Sequence, residues 1–224
     1  MVRPAAFVLC YRIGMDVEKI LQKSDEEILA IAHQLRVAYK LKRTLRYNTK
    51  RDHNVHSESV AEHIFALIFL AQYFLKVEPI GPSLDAEKVF KILLFHDFAE
   101  IKHGDIPTHA KTDADEDRER EAAKEIFASL PDPLNKIGLE SWQEYEKHTS
   151  PEALFAVALD RFEPMFELLD PVNERSVKDL KITFDMHVEN KYRAVETFPV
   201  MMRFLEVVSQ DMRKRGIFWE KEVV

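Results

Sequence analysis

Apolar residues recur three and four positions apart along most of the chain, and this pattern restricts the fold more than any other feature. From about residue 25 to 46, Ile28, Ile31, Leu35, Ala38 and Leu41 share one helical face, and Ser24 is placed to cap it. Ser59-Val-Ala-Glu62 forms a capping box, in which hydroxyl and carboxylate each satisfy a backbone amide at the helix start. Ile64, Leu67, Ile68, Ala71, Phe74 and Leu75 follow at helical spacing until Pro79, Gly81 and Pro82 end the run. A third helix is predicted from about Asp85 to Ile101 on Val89, Ile92, Leu93 and His96. Further helices are predicted over about 116–130, 139–148, 151–169, 175–196 and 198–215, punctuated by Pro131, Pro133, Pro151, Pro171 and Pro199. No segment alternates as a strand would. Only five glycines occur in 224 residues, too few for a Gly-rich phosphate loop or for the corners of a strand-and-turn architecture. The expectation is an all-α bundle of roughly eight helices. It forms a single domain over residues 25–215, between a leader (1–24) and a C-terminal tail (216–224).

Charge narrows the partners. With charged residues at 32% and a net charge of -7, the chain has no general attraction for a phosphate backbone, so nucleic acid is not an expected partner. A small anionic substrate responds to local charges and is still admitted. Cys10 is the single cysteine, which rules out an intramolecular disulfide and a Cys-based zinc site and fits a reducing, cytoplasmic setting. The apolar stretch AAFVLCY (5–11) is too short to span a bilayer, and Met15 is an alternative start. No other window reads as long and apolar enough for a membrane helix, so no membrane partner is expected. The mixed-charge run DADEDREREAAKE (113–125) reads as a solvated helix face with ion pairs one turn apart.

Several polar residues violate the helical pattern. His96 continues the apolar stripe of Val89, Ile92 and Leu93, and a buried imidazole there needs a partner. Asp97 follows it about 100° around the helix, and Glu100 stands one turn after His96. Asp160 interrupts the apolar run ALFAVALDRF (153–162), where an acid requires either a metal or a distant cation; Arg161 points elsewhere on the helix. His63, one residue beyond the capping box, reads alone as surface or capping decoration. Two imidazoles and two carboxylates together suit one divalent ion among Mn, Co, Fe, Ni or Zn. Such an ion generates a nucleophile from water near neutral pH and polarises a phosphoryl oxygen.

The segments ESVAEH (58–63), LLFHDFAEIKHGDIPTHAK (93–111) and VALDRF (157–162), in this order and spacing, resemble the HD-domain superfamily, and most of all its 5'-deoxynucleotidase branch. The resemblance runs from about Leu41 to Phe162, and SWQEYEKHTSPEA (141–153) is similar to the linker helices of that branch. It implies an HD-domain helical bundle with His63, His96, Asp97 and Asp160 as metal ligands. Glu100 takes the place of the acid that orients or deprotonates the attacking water, and Asp105 that of the residue contacting the sugar 3'-hydroxyl. Arg46 and Tyr47, in the loop RTLRY (43–47), match an Arg-aromatic pair for phosphate and base, with Arg43 as the alternative arginine. Here Tyr47 stands where Trp is common, and the loop before His63 is longer than usual. Thr108 and Lys111 are further candidate substrate contacts, whereas His56, His103 and His109 are expected as solvent-exposed loop residues.

The implied activity is metal-dependent hydrolysis of deoxyribonucleoside 5'-monophosphates to nucleoside and phosphate. The alternatives are an HD phosphodiesterase, a guanosine-polyphosphate hydrolase, or a non-catalytic nucleotide-binding HD module. The resemblance also implies a homodimer. For that, Phe198, Met202, Leu205 and Val208 supply either an interface or simply core.

Overall fold

The computed structural model describes residues 58–106, 112–169 and 177–220, together with 24, 27, 30, 31, 34, 40, 41 and 43–46. Residues 1–23 of the leader, most of the first expected helix, and Tyr47, His56, Thr108, His109 and Lys111 lie outside them, as does the side chain of His103. Among the described residues there is no strand, only an isolated antiparallel bridge between Leu45 and Ser59.

Helix α1 (Val60–Val77) starts where the capping box placed it: the Glu62 N–H donates to Ser59 Oγ, and the Glu62 carboxylate accepts from the Ser59 N–H. At its other end, Glu78 accepts the N–H groups of Val200 and Met201, so one carboxylate caps the first turn of a helix that begins far along the chain. The remaining helices are α2 (Ala86–Phe95), α3 (Glu100–His103), α4 (Asp113–Ala128), α5 (Leu134–Lys147), α6 (Pro151–Phe162), α7 (Pro164–Glu167), α8 (Phe184–Val195) and α9 (Pro199–Lys214). Helices α1, α5 and α6 surround α2, α8 packs on α6 and α9, and α4 covers α5. The main core gathers Leu67, Ile92, Leu93, Phe155, Leu159, Phe162 and Leu205. A second core under α4 holds Phe95, Phe98, Phe127 and Trp142. Each fully buried Leu or Phe contributes roughly 1.5–3 kcal/mol. Gly138 lets α5 pass the Phe127 ring, because a Cβ there would lie 2.6 Å from the ring edge.

Several expectations are corrected. The helix predicted over 85–101 stops at Phe95. The N–H groups of Phe98, Glu100 and Ile101 then bond to carbonyls three residues back, a tighter winding that sets His96 and Asp97 in a turn and not in a regular helix. The helix predicted over 151–169 divides at Pro164, which has no N–H to continue it. That predicted over 175–196 is interrupted at Lys181, with positive φ, and restarts on the Thr183 cap. Helix α4 begins earlier than its apolar stripe, because Thr112 and Asp115 form a second capping box. The expected tail is partly packed: Ile217 and Phe218 are buried, and the Trp219 N–H donates to the Ile182 carbonyl.

Phe198 and Leu205 are core, and Met202 and Val208 pack against it. The exposed aromatic face instead lies on α1, where Phe65 (72% exposed), Phe69 (68%) and Tyr73 (51%) point outward. Contrary to expectation, α1 is also a window long and apolar enough, by length and composition, to cross a membrane, with mean hydropathy 1.5. Its inner face (His63, Ile64, Leu67, Ala71 and Phe74) is used as core.

His187 is buried between α8 and α9, with Nε2 3.1 Å from Ser209 Oγ and its ring beside Phe218. Burial, with the nearby charge of Lys191, lowers its pKa to about 3. The unfolded chain takes up this proton near pH 6.5 while the folded chain does not, so stability is lost as pH falls from 6.5 towards 3. The expected loss by pH 5 is about 2 kcal/mol. Denaturant titrations at pH 7 and pH 5 should show a smaller loss for His187→Gln than for the unsubstituted chain; equal losses would exclude His187 as the source.

Candidate metal centre

Four segments meet at one end of the bundle. Helix α1 presents His63 from its inner face, the turn after α2 supplies His96 and Asp97, and α6 presents Asp160 from its last turn. The fourth segment precedes α1: the Arg46 N–H bonds to the Glu58 carbonyl (2.9 Å) and the Val60 N–H to the Thr44 carbonyl (3.0 Å). Those bonds pin Arg46 and Glu58 against the helix start, although nothing in the local sequence pattern announces the pairing.

His63 Nε2 lies 3.1 Å from Asp160 Oδ1 and 3.8 Å from Asp97 Oδ2. His96 Nε2 lies 3.2 Å from Asp97 Oδ2 and 3.8 Å from Asp160 Oδ1. One donor atom each from His63, His96 and Asp160 lies within 4.8 Å of the other two. The His96 Nδ1 donates to the Leu93 carbonyl at 2.8 Å. Its Nε2 is buried beside two carboxylates without hydrogen-bond geometry to either. An orphaned imidazole nitrogen facing carboxylates in a buried cleft fits a shared divalent cation, and the mixed N/O donor set suits one.

The cluster is braced from behind. The Tyr145 O–H donates to Asp160 Oδ2 at 2.7 Å, and the Glu163 carboxylate accepts from His63 Nδ1 at 2.9 Å. Arg46 reaches Asp97 (3.3 Å), Asp105 (3.6 Å) and Glu58 (3.6 Å), so one buried guanidinium ties the metal-type carboxylates to the Asp105 side. Arg161 sits nearer than its helical direction suggests, with Nε 4.0 Å from Asp160 Oδ2.

Electrostatics follow from this packing. Burial opposes a charged His96 ring, but the Asp97 and Asp160 carboxylates facing its Nε2 raise its pKa to about 10. For His63, burial and Arg46 are overcome by hydrogen bonds to Asp160 and Glu163, giving about 9. Asp97 resists burial through His96 and ionises at about 2, and His63 and His96 likewise hold Asp160 well below the usual carboxylate range. The site therefore carries compact negative charge balanced by imidazolium protons, and a divalent cation would displace those protons. Glu100 behaves oppositely: burial and the adjacent Asp97 and Asp105 push its carboxyl well above the ordinary range, and its Oε2 has no hydrogen-bond partner. Burial and Glu163 raise Glu58 to about 7.

Of the sequence-predicted site residues, the structure brings together His63, His96, Asp97, Asp160, Glu100, Asp105 and Arg46. Arg43 is exposed. Tyr145, Glu163 and Glu58 join them without having been expected from the sequence. Glu163 carries a signal, an acid just beyond Asp160 at the end of the same apolar run; Tyr145 reads as an ordinary aromatic of an amphipathic helix.

A family model described as HD domain matches residues 38–201. The human 5'-deoxynucleotidase HDDC2 is 32% identical over 135 residues, 59% of this chain and 64% of that protein. The fission-yeast 5'-deoxynucleotidase hdd1 is 29% identical over 121 residues, 50% of this chain and 58% of that protein. The matches thus span less than two thirds of these relatives. A predicted metal-dependent phosphohydrolase from Magnetospirillum magnetotacticum MS-1 superposes with a TM-score of 0.72 at 26% identity, over 88% of this chain and all of that one. An HD-domain phosphohydrolase from Listeria innocua shares the fold, with a TM-score of 0.54 at 19% identity over 83% of this chain and 86% of that one.

Proposed function

The chain belongs to the HD-domain family, and from that premise we propose that it is a metal-dependent phosphohydrolase that converts deoxyribonucleoside 5'-monophosphates to nucleoside and phosphate. The observation that carries this reading is the convergence of His63, His96 and Asp160, with Asp97 3.2 Å from His96 Nε2 and 3.8 Å from His63 Nε2, beside a buried, proton-retaining Glu100. These four side chains would hold one divalent ion, with Mn, Co, Fe, Ni and Zn all compatible with two nitrogen and two oxygen donors. When bound, such an ion lowers the pKa of water and polarises a phosphoryl oxygen.

The remaining work falls to the protein. Glu100, whose carboxyl titrates above the usual range, accepts a proton from the attacking water and returns one to the leaving 5'-oxygen. Arg46, buried among Asp97, Asp105 and Glu58, supplies positive charge for the equatorial phosphoryl oxygens. Asp105 is 4% exposed and accepts the sugar 3'-hydroxyl, which leaves little room for a 2'-hydroxyl. Tyr47, Thr108 and Lys111 are assigned to base and phosphate by resemblance alone. The net charge of -7 favours a small nucleotide over nucleic acid, and the single Cys10 agrees with a cytoplasmic setting.

A phosphate-release panel over ribo- and deoxyribonucleoside monophosphates, with cyclic and polyphosphorylated nucleotides alongside, tests the substrate class. Preference for the deoxy series is expected, and Asp105→Ala should erode it by about tenfold or more. Equal rates on both sugar series in the unsubstituted chain would remove the role of Asp105, and turnover of cyclic or polyphosphorylated nucleotides alone would move the activity to another HD chemistry.

A further inference from the structure

His63 is gripped at both ring nitrogens by a single helix end. Asp160, in the last turn of α6, lies 3.1 Å from Nε2, and Glu163, the residue that closes α6, lies 2.9 Å from Nδ1. Both the ring and the Glu163 side chain are buried, the latter 2% exposed. Glu163 cannot finish its own helix with its carboxylate, because the free groups at a helix C-terminus are carbonyl acceptors; its N–H bonds to the Leu159 carbonyl, and Pro164 starts α7 directly after it. The side chain is thus left to face the imidazole.

We propose that Glu163 is a positioning residue of the metal centre: by holding the His63 proton on Nδ1 it presents the Nε2 lone pair to the ion. The inference rests on the metal-centre reading above and adds a residue to it. A neutral imidazole has one N–H and one lone pair, and the partner of the first decides where the second points. At His96 the Leu93 carbonyl performs this task, and at Asp160 the Tyr145 hydroxyl holds the second oxygen. Glu163 completes the set and, unlike the neutral Leu93 carbonyl behind His96, it is a charged acceptor, which also raises the basicity of the ring. Glu58, 3.8 Å from the same nitrogen, forms with His63 and Glu163 a second trio of metal-type atoms. An ion there would require His63 to lose both ring protons and bridge two cations. The 2.9 Å hydrogen bond satisfies Nδ1 without that step.

The test compares the metal-free protein with its Glu163→Gln and Glu163→Asp variants. Each is titrated with Co²⁺, followed by visible absorption, and with Mn²⁺ by calorimetry. Circular dichroism establishes that each chain is folded. The expected result is one ion per unsubstituted chain, with binding to Glu163→Gln weaker by about 10- to 100-fold and partly rescued in Glu163→Asp. In the Zn²⁺-loaded protein, long-range ¹H–¹⁵N correlation should find the His63 proton on Nδ1, with its resonance shifted in Glu163→Gln because a neutral acceptor then replaces the carboxylate. Unchanged affinity in a folded Glu163→Gln chain, a proton on Nε2, or two ions per chain would overturn the assignment while leaving a metal centre standing. An unsubstituted chain that takes up no ion would remove the metal centre itself, and this role with it.

Discussion

Replacing Glu100 by Gln is expected to lower kcat for phosphate release about 100- to 10,000-fold while leaving the metal content unchanged. The amide preserves the shape of a side chain that is 4% exposed, so the packing around Asp97 and Asp105 is kept. What is lost is a proton-exchanging group. In the unsubstituted chain burial and two neighbouring carboxylates hold the Glu100 proton to higher pH than an ordinary carboxylate would. As a base it works only once that proton has left, so activity should rise with pH through its raised pKa, and the Gln variant should lack this limb. Steady-state rates across pH, with metal analysis of the same samples, decide the matter. A variant with unchanged kcat would take Glu100 out of the chemistry.

The second large effect is expected at Asp160. Asp160→Ala should abolish detectable turnover and stoichiometric metal binding together. In the metal-free chain it should also destabilise the fold by about 3–5 kcal/mol, the scale for removing one partner of a buried charged pair. The structural reason is specific. His63 and His96 lose the carboxylate that, with Glu163 and Asp97, favours their charged forms, and the Tyr145 hydroxyl loses its acceptor. At roughly 2–4 °C per kcal/mol for a chain of this size, the drop in Tm is measurable. Chelator should lower the Tm of the unsubstituted protein and leave Asp160→Ala unmoved. A variant that kept its ion and its chelator response would exclude Asp160 from the coordination sphere.

Features governed by neighbours along the chain are legible in the order of the residues. The Ser59–Glu62 capping box sets the start of α1, and the three-and-four spacing of apolar residues marks α1, the body of α2 and α6 on the correct faces. His96 and Asp160 stand out because a polar group inside an apolar stripe must find a partner. Boundaries shift wherever a local polar cap or a tighter winding competes with periodicity. Thr112 and Asp115 start α4 before its apolar face begins, and the turn after Phe95 continues in hydrogen bonds that a 3.6-residue period does not report.

His63 shows the division most clearly. By position it is a polar residue just past a cap, and only resemblance to an HD motif draws it into the site. In the folded chain it is fully buried, and its partner Glu163 stands 100 residues away. Arg46 is assigned to phosphate by the same resemblance, yet its ties to Asp97, Asp105 and Glu58 follow from the Leu45–Ser59 bridge. The sequence by itself determined the helical class, the start of α1 and the identity of the chemically unusual residues, because capping and amphipathic spacing act over a few residues. Which nitrogen of each imidazole faces the cleft, which carboxyl keeps its proton and which side chains brace the ligands were decided only by tertiary structure. Those properties depend on burial and on charges that segments distant in sequence bring within 3 to 4 Å.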